Sequence, residues 1–167
     1  LVVRMKPKVS VILTSYNKPE WIRQSIDSVI TQTFTDWELL IMDDNSPHSV
    51  WEIINSYSDP RILKFNSHIT PERRYDTARY ATQINRGFYY TTGKYITYIV
   101  DDDIYYPDRL KVLVEYMDAN PEHEVVYHTL GNIGEDSVLH EGSLRPIKGI
   151  LDGLTEETQA FNYVDHN

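Results

Sequence analysis

The sequence predicts an α/β domain built on a doubly wound, mostly parallel sheet, and three observations carry that expectation. Short apolar runs rich in β-branched residues alternate with longer segments of helical period, the signature of βαβ units. At 167 residues the chain fits one core better than two. Polar residues, aspartate above all, stand directly after the apolar runs, where sheets of this kind bind their ligands.

Val9 to Thr14 reads as the first strand. Asn17 followed by Glu20 resembles a capping box, and Ile22, Ile26, Val29 and Ile30 then recur at helical spacing. Trp37 to Met42 is the second strand, after which Ser46 and Pro47 read as N-cap and first helical residue. Ile62 to Phe65 is a short third strand, and one helix is expected from about Glu72 to Thr92 with Ala81, Ile84 and Phe88 on one side. Tyr95 to Val100 is the fourth strand. Pro107 opens a helix carrying Leu110, Leu113, Val114 and Met117, Asn120-Pro121 closes it, and Glu124 to Thr129 is a fifth strand. Beyond Leu130 the pattern weakens into short pieces punctuated by glycine.

Composition removes several function classes. With 16 Lys and Arg against 25 Asp and Glu, the net charge of −9 disfavours nucleic acid and anionic lipid surfaces as partners. The absence of cysteine excludes disulfides, thiol nucleophiles and Cys-ligated metals. No apolar run approaches the length of a membrane span and no signal peptide is evident, so the expectation is a soluble, cytoplasmic protein with no integral membrane segment. All seven glycines lie at Gly87 or later, which rules out a glycine-rich phosphate cradle in the first βα turn.

What remains is a triple carboxylate, Asp101, Asp102 and Asp103, directly after a strongly apolar strand. Adjacent aspartates repel one another unless a cation or capping hydrogen bonds compensate. Mg²⁺ or Mn²⁺ would do so while keeping positions for phosphate oxygens; a solvated turn in which one Asp caps the next helix is the plainer alternative. Asp43, Asp44 and Asn45 are equally compatible with a ligand site and with ordinary helix-start chemistry. Tyr16 reads as a rim aromatic or as a base-stacking residue. Arg73 and Arg74 fall in the first turn of an expected helix, where the macrodipole disfavours cations, so one of them is expected to face an anion.

The run Val9-Ser-Val-Ile-Leu-Thr-Ser-Tyr-Asn, the segment Gln32-Thr-Phe-Thr-Asp-Trp-Glu-Leu, the strand end Met42-Asp-Asp-Asn-Ser and Tyr98-Ile-Val-Asp-Asp-Asp together resemble family 2 glycosyltransferases of the GT-A fold. The resemblance implies that Thr14 and Tyr16 line a nucleotide pocket, that Asp44 accepts the pyrimidine ring N–H, and that Arg74 approaches the nucleotide. It places the family's D-x-D element on Val100-Asp101-Asp102, with Asp102 as main metal ligand and Asp101 on ribose or metal-bound water. Asp103 creates a second, literal D-x-D from Asp101 to Asp103, so which pair of the three holds the metal stays open, with Asp102 and Asp103 as the metal candidates.

The implied reaction is attack of a carbohydrate acceptor hydroxyl on a nucleotide-diphosphate sugar of UDP or dTDP type, with inversion, assisted by Mn²⁺ or Mg²⁺. The alternative is a module that holds nucleotide or nucleotide-sugar without transfer. Residues 1–130 are expected to form the donor-binding domain and 131–167 the start of an acceptor-binding half cut short. Asp165 is the late carboxylate whose context is reminiscent of the acceptor region, with the general base of relatives expected beyond Asn167; on that expectation the chain binds donor and transfers poorly.

Overall fold

The computed structural model describes residues 6–126 together with 128, 131 and 133. Its elements are β1 (Val9–Ser15), α1 (Ile22–Ile30), β2 (Trp37–Asp43), α2 (His48–Ser56), β3 (Ile62–Asn66), a 3₁₀ turn (Pro71–Arg73), α3 (Arg79–Phe88), β4 (Tyr95–Val100) and α4 (Arg109–Ala119). The chain divides into two compact units, residues 1–112 and 113–167. In the second, the Tyr116 hydroxyl lies 2.9 Å from His123 Nδ1 and the two rings stack.

The first unit is organised by a parallel sheet of order β3-β2-β1-β4. The chain runs outward from β1 through β2 to β3 and then returns to the other side of β1 with β4. That reversal makes β1 and β4 the switch point at which open α/β sheets bind ligands. β1 and β2 are buried along their whole lengths, which is why their sequences read as continuous apolar runs and not as alternating ones. Ile12, Leu40 and Met42 form a buried cluster against which Leu63 and Phe65 pack.

Close approach of α3 to this sheet depends on Gly87, where a Cβ would lie 2.8 Å from Ile12 Cγ2. Gly93 is held as tightly: a Cβ there would meet the Ser10 backbone nitrogen at 2.6 Å. At that end the buried Glu38 carboxylate accepts the Ser10 hydroxyl at 2.7 Å and both the N–H and the hydroxyl of Thr92, at 2.7 and 2.9 Å. A charged side chain near the start of the second strand is thus satisfied by Ser10 of β1 and by the turn that launches β4.

Several local expectations are corrected. No side chain caps α1, and Asn17 is no capping-box residue: it lies five positions before the helix with φ 53°, in the left-handed region that asparagine tolerates. Ser46 does not cap α2, whose N-cap is Pro47; its hydroxyl is taken by Asp43. The single long helix from Glu72 is instead a 3₁₀ turn, a non-helical stretch and then α3. α3 buries Gln83 and Gly87, and Phe88 is half exposed, because the inward face is set by a polar contact and a close backbone approach and not by the apolar stripe. Residues 124–126 of the expected fifth strand are not in a strand, and 128 is a single bridge residue. Among the described residues, no helix is long and apolar enough to cross a membrane.

Candidate functional site at the carboxyl edge of the sheet

The parallel register ends β1, β2 and β4 level with one another, Thr14 lying opposite Met42 on one side and Val100 on the other. Thr14 is buried there. The segments that follow are stitched together by their backbones: Asp44 N–H donates to Ser15 O at 2.9 Å, and Tyr16 N–H donates to Asp101 Oδ2 at 2.7 Å. Two asparagines in left-handed conformation, Asn17 (φ 53°) and Asn45 (φ 62°), turn the chain directly after β1 and β2. Ser46 couples those turns, donating its hydroxyl to Asp43 Oδ1 and accepting Asn17 N–H at 3.0 Å. Burial raises the Asp43 carboxyl above its usual range, against the Ser46 hydrogen bonds. The expected convergence of three polar strand ends is therefore observed.

At the β2 end, Asp44 is 2% exposed and receives two guanidinium groups. Arg79 donates Nη2 to Oδ1 at 2.6 Å and Nε to Oδ2 at 3.0 Å, a two-pronged pairing. Gln83 Nε2 adds a bond to Oδ1 at 2.7 Å, and Arg74 Nη2 lies 3.1 Å from Oδ2 while its Nη1 donates to the Asp44 carbonyl at 2.7 Å. Burial by itself would push the Asp44 carboxyl up. The bonds from Arg79 and Ser67 and the charges of Arg79 and Arg74 outweigh it and hold the group below the usual carboxylate range. Arg74 also lies flat over Tyr16, its guanidinium carbon 3.3 Å from the ring centroid. Arg74 thus touches both Tyr16 and Asp44. The anion expected near Arg73 and Arg74 is Asp44, and it belongs to Arg74; Arg73 pairs with Asp76 at 3.5 Å.

At the β4 end, Asp101 is buried and Asp102 is exposed. Lys18, three residues past β1, places its ammonium 2.6 Å from Asp102 Oδ2 and 3.3 Å from Asp101 Oδ1. Burial pushes the Asp101 carboxyl up, against the Tyr16 N–H and the Lys18 charge. Burial and then the charge of Asp102 raise Asp103 as well. For Lys18 burial works against the charge, yet the Asp102 hydrogen bond and the two carboxylates raise it. Asp103 is tied through its carbonyl, which accepts the Ser25 hydroxyl at 2.7 Å.

That bond is one of a set. Ser25, Ser28 and Gln32 form a buried polar stripe at i, i+3 and i+7 on and just past α1. Ser28 Oγ accepts Tyr105 N–H at 3.1 Å. Gln32 Nε2 donates to Tyr106 O at 2.6 Å, and its Oε1 accepts Leu110 N–H at 2.9 Å. The acidic segment is consequently fastened to α1 along its downstream side. Arg79, Gln83, Lys18 and this stripe are the residues sequence reasoning missed. The stripe was legible as three amide or hydroxyl side chains at helical spacing beside an apolar face, and Lys18 directly follows the first motif without a role given to it.

Among the described residues no group of three His, Asp or Glu side chains is arranged to hold a metal ion. Mn²⁺ and Mg²⁺ are commonly held by one or two protein carboxylates, with water and phosphate oxygens completing the sphere. Asp101 and Asp102 are two such carboxylates, and the Lys18 ammonium lies within 3.3 Å of both. Asp165 lies outside the described residues.

Protein CgeD of Bacillus subtilis (strain 168) is 47% identical over 124 residues, which are 74% of this chain and 29% of CgeD. Among solved structures, residues 1–349 of S. aureus TarS in complex with UDP match with a TM-score of 0.62 at 20% identity, over 75% of this chain and 36% of that one. The mannosyltransferase PcManGT from Pyrobaculum calidifontis, in complex with GDP-Man and Mn²⁺, matches with a TM-score of 0.58 at 17% identity, over 77% and 36% of the two chains. The chain therefore spans about a third of the length of the proteins it resembles. These neighbours establish the GT-A fold, and the model of glycosyl transferase family 2 matches residues 10–167, so the chain belongs to that family.

Proposed function

We propose that this chain supplies the donor-binding part, residues 1–130, of an inverting glycosyltransferase that takes a pyrimidine nucleotide-diphosphate sugar and passes the sugar to a carbohydrate hydroxyl in polysaccharide biosynthesis. The observation that carries the reading is that Arg74 touches both Tyr16, just after β1, and Asp44, just after β2, while the Tyr16 N–H is bonded to Asp101 at the end of β4, beside Asp102. The ring of Tyr16 offers a face for a base. The Asp44 carboxylate, held ionised by its arginines, is an acceptor suited to the N–H of uracil or thymine. Arg74, which touches both, would turn toward the base. UDP in the TarS complex supports the pyrimidine assignment, whereas GDP-Man in PcManGT represents the purine alternative.

Asp101 and Asp102 would hold Mn²⁺ or Mg²⁺, with Asp103 beside them. When bound, such an ion offsets the negative charge that grows on a departing diphosphate. Mn²⁺ in the PcManGT complex supports a divalent ion in this fold. The decisive experiment is calorimetric titration of UDP, dTDP and GDP with and without Mn²⁺. The reading expects UDP or dTDP to bind more tightly than GDP, and more tightly with Mn²⁺. Equal binding of UDP and GDP would remove the pyrimidine assignment, and affinity indifferent to Mn²⁺ would remove the metal.

A further inference from the structure

Lys18 is placed where its role bears on the metal itself. Its ammonium joins one oxygen of the buried Asp101 to one oxygen of the exposed Asp102, at 3.3 and 2.6 Å. The other Asp101 oxygen is taken by Tyr16 N–H. The Lys18 side chain is 40% exposed and that of Asp102 44%, so this ion pair sits at the open side of the site. The backbone beneath it is fixed, because Asn17, one residue earlier, is in the left-handed region with its N–H on Ser46. What can move is the lysine's flexible four-carbon stem.

We propose that Lys18 is the exchangeable counter-ion of the Asp101–Asp102 pair: a divalent cation displaces its ammonium from the two carboxylates, and the displaced ammonium turns onto the diphosphate of the nucleotide. The inference rests on the metal reading of this pair given above. The alternative, an ordinary surface ion pair, would make Lys18 indifferent to the metal. Two features argue against that. One ammonium serves two adjacent carboxylates that repel each other, which is the electrostatic task of a bound cation. Its position three residues past β1 also puts it beside whatever the strand ends bind, because phosphate carried by the metal must share that edge.

The test measures Mn²⁺ binding directly, from the loss of the electron paramagnetic resonance signal of free Mn²⁺ on adding protein, without nucleotide. Four proteins are compared: the unmodified chain, Lys18→Met, Asp102→Asn, and Lys111→Met as a control for net charge at an exposed position. Lys18→Met is expected to bind Mn²⁺ about three- to tenfold more tightly, the scale of removing one competing surface charge, with Lys111→Met unchanged and Asp102→Asn binding weakly. At saturating Mn²⁺, UDP should then bind Lys18→Met several-fold more weakly, since the diphosphate loses its ammonium.

If Asp102→Asn weakens Mn²⁺ binding while Lys18→Met matches the unmodified chain, the exchange is refuted and the metal reading stands. A Lys18→Met protein that binds Mn²⁺ more tightly yet holds UDP unchanged refutes the transfer to the diphosphate. If Lys111→Met tightens Mn²⁺ binding as much as Lys18→Met, the effect belongs to net charge and the inference falls. Mn²⁺ binding unaltered by Asp102→Asn would overturn the metal reading, and the inference with it.

Discussion

The two carboxylate ends of the site are built on opposite terms. At β2, Asp44 is buried and held by four side chains, Ser67, Arg74, Arg79 and Gln83, from the segment and helix that follow β3, and its charge is favoured. At β4, Asp101 and Asp102 share one flexible ammonium, and the buried member of the pair is pushed toward its neutral form. The same residue type at equivalent strand ends is thus firmly held in one place and loosely paired in the other. What separates them is how many partners are rigid.

That contrast is broken most severely at Asp44. Asp44→Asn leaves two guanidinium groups without their counter-charge and is expected to lose about 3 kcal/mol, the cost of opening a buried pair from one side, read from denaturant midpoints at neutral pH. Because the Asp44 carboxyl is held below its usual range, its contribution is present above the ordinary carboxylate pKa and is lost as pH falls through the folded value. The acid limb of the stability curve should therefore be shallower in Asp44→Asn than in the unmodified chain. An identical limb in both would show that the arginines do not stabilise the charge.

Gln32→Ala tests whether the β4 end owes its placement to α1. It strands Leu110 N–H and removes the donor to Tyr106 O, which is expected to cost about 2 kcal/mol. Amide hydrogen exchange over residues 101–110 should rise with it, and unchanged protection there would locate the restraint elsewhere.

Asp102→Ala sharpens the comparison by its inverse pattern. Stability should stay within about 0.5 kcal/mol, as for an exposed ion pair, while UDP affinity in the presence of Mn²⁺ falls roughly tenfold, the worth of a charge-assisted contact. A thermal shift as large as that of Asp44→Asn would erase the distinction between the two ends. A small loss of stability is expected at Tyr16→Ala, where the lost guanidinium contact is worth about 0.5 to 1 kcal/mol. A stability change several times larger would make Tyr16 part of the scaffold.

Much of this was legible because sheet geometry converts order in the chain into position in space. Apolar runs gave β1 to β4 to within a residue at most ends, and parallel strands of matched register then bring the residues after β1, β2 and β4 to one edge. The segment after β3 was illegible for a physical reason. Arg79 and Gln83 lie off the side marked by Ala81, Ile84 and Phe88, yet both bond to the buried Asp44, so a polar contact sets the inward face of a helix that begins only at Arg79. The motif asparagines misled in a different way. Asn17 looked like a cap, whereas φ 53° makes it a turn residue, and backbone angle leaves no trace in periodicity. Lys18 was visible and unassigned, since pairing at long range in sequence depends on which strand ends become neighbours.

The strand order also acts as a ruler. β2 and β4 flank β1, so the two carboxylate ends stand two strand spacings apart, about 10 Å. On the proposed reading, a nucleotide diphosphate spans that length, its base at Asp44 and its diphosphate brought to Asp101 and Asp102 by the divalent cation, with the middle passing over the end of β1 at Thr14 and Ser15. Free phosphate, a bare base or a lone sugar would then satisfy one end and leave the other unread. Selectivity for a long, two-headed ligand would follow from how many strands lie between the acids.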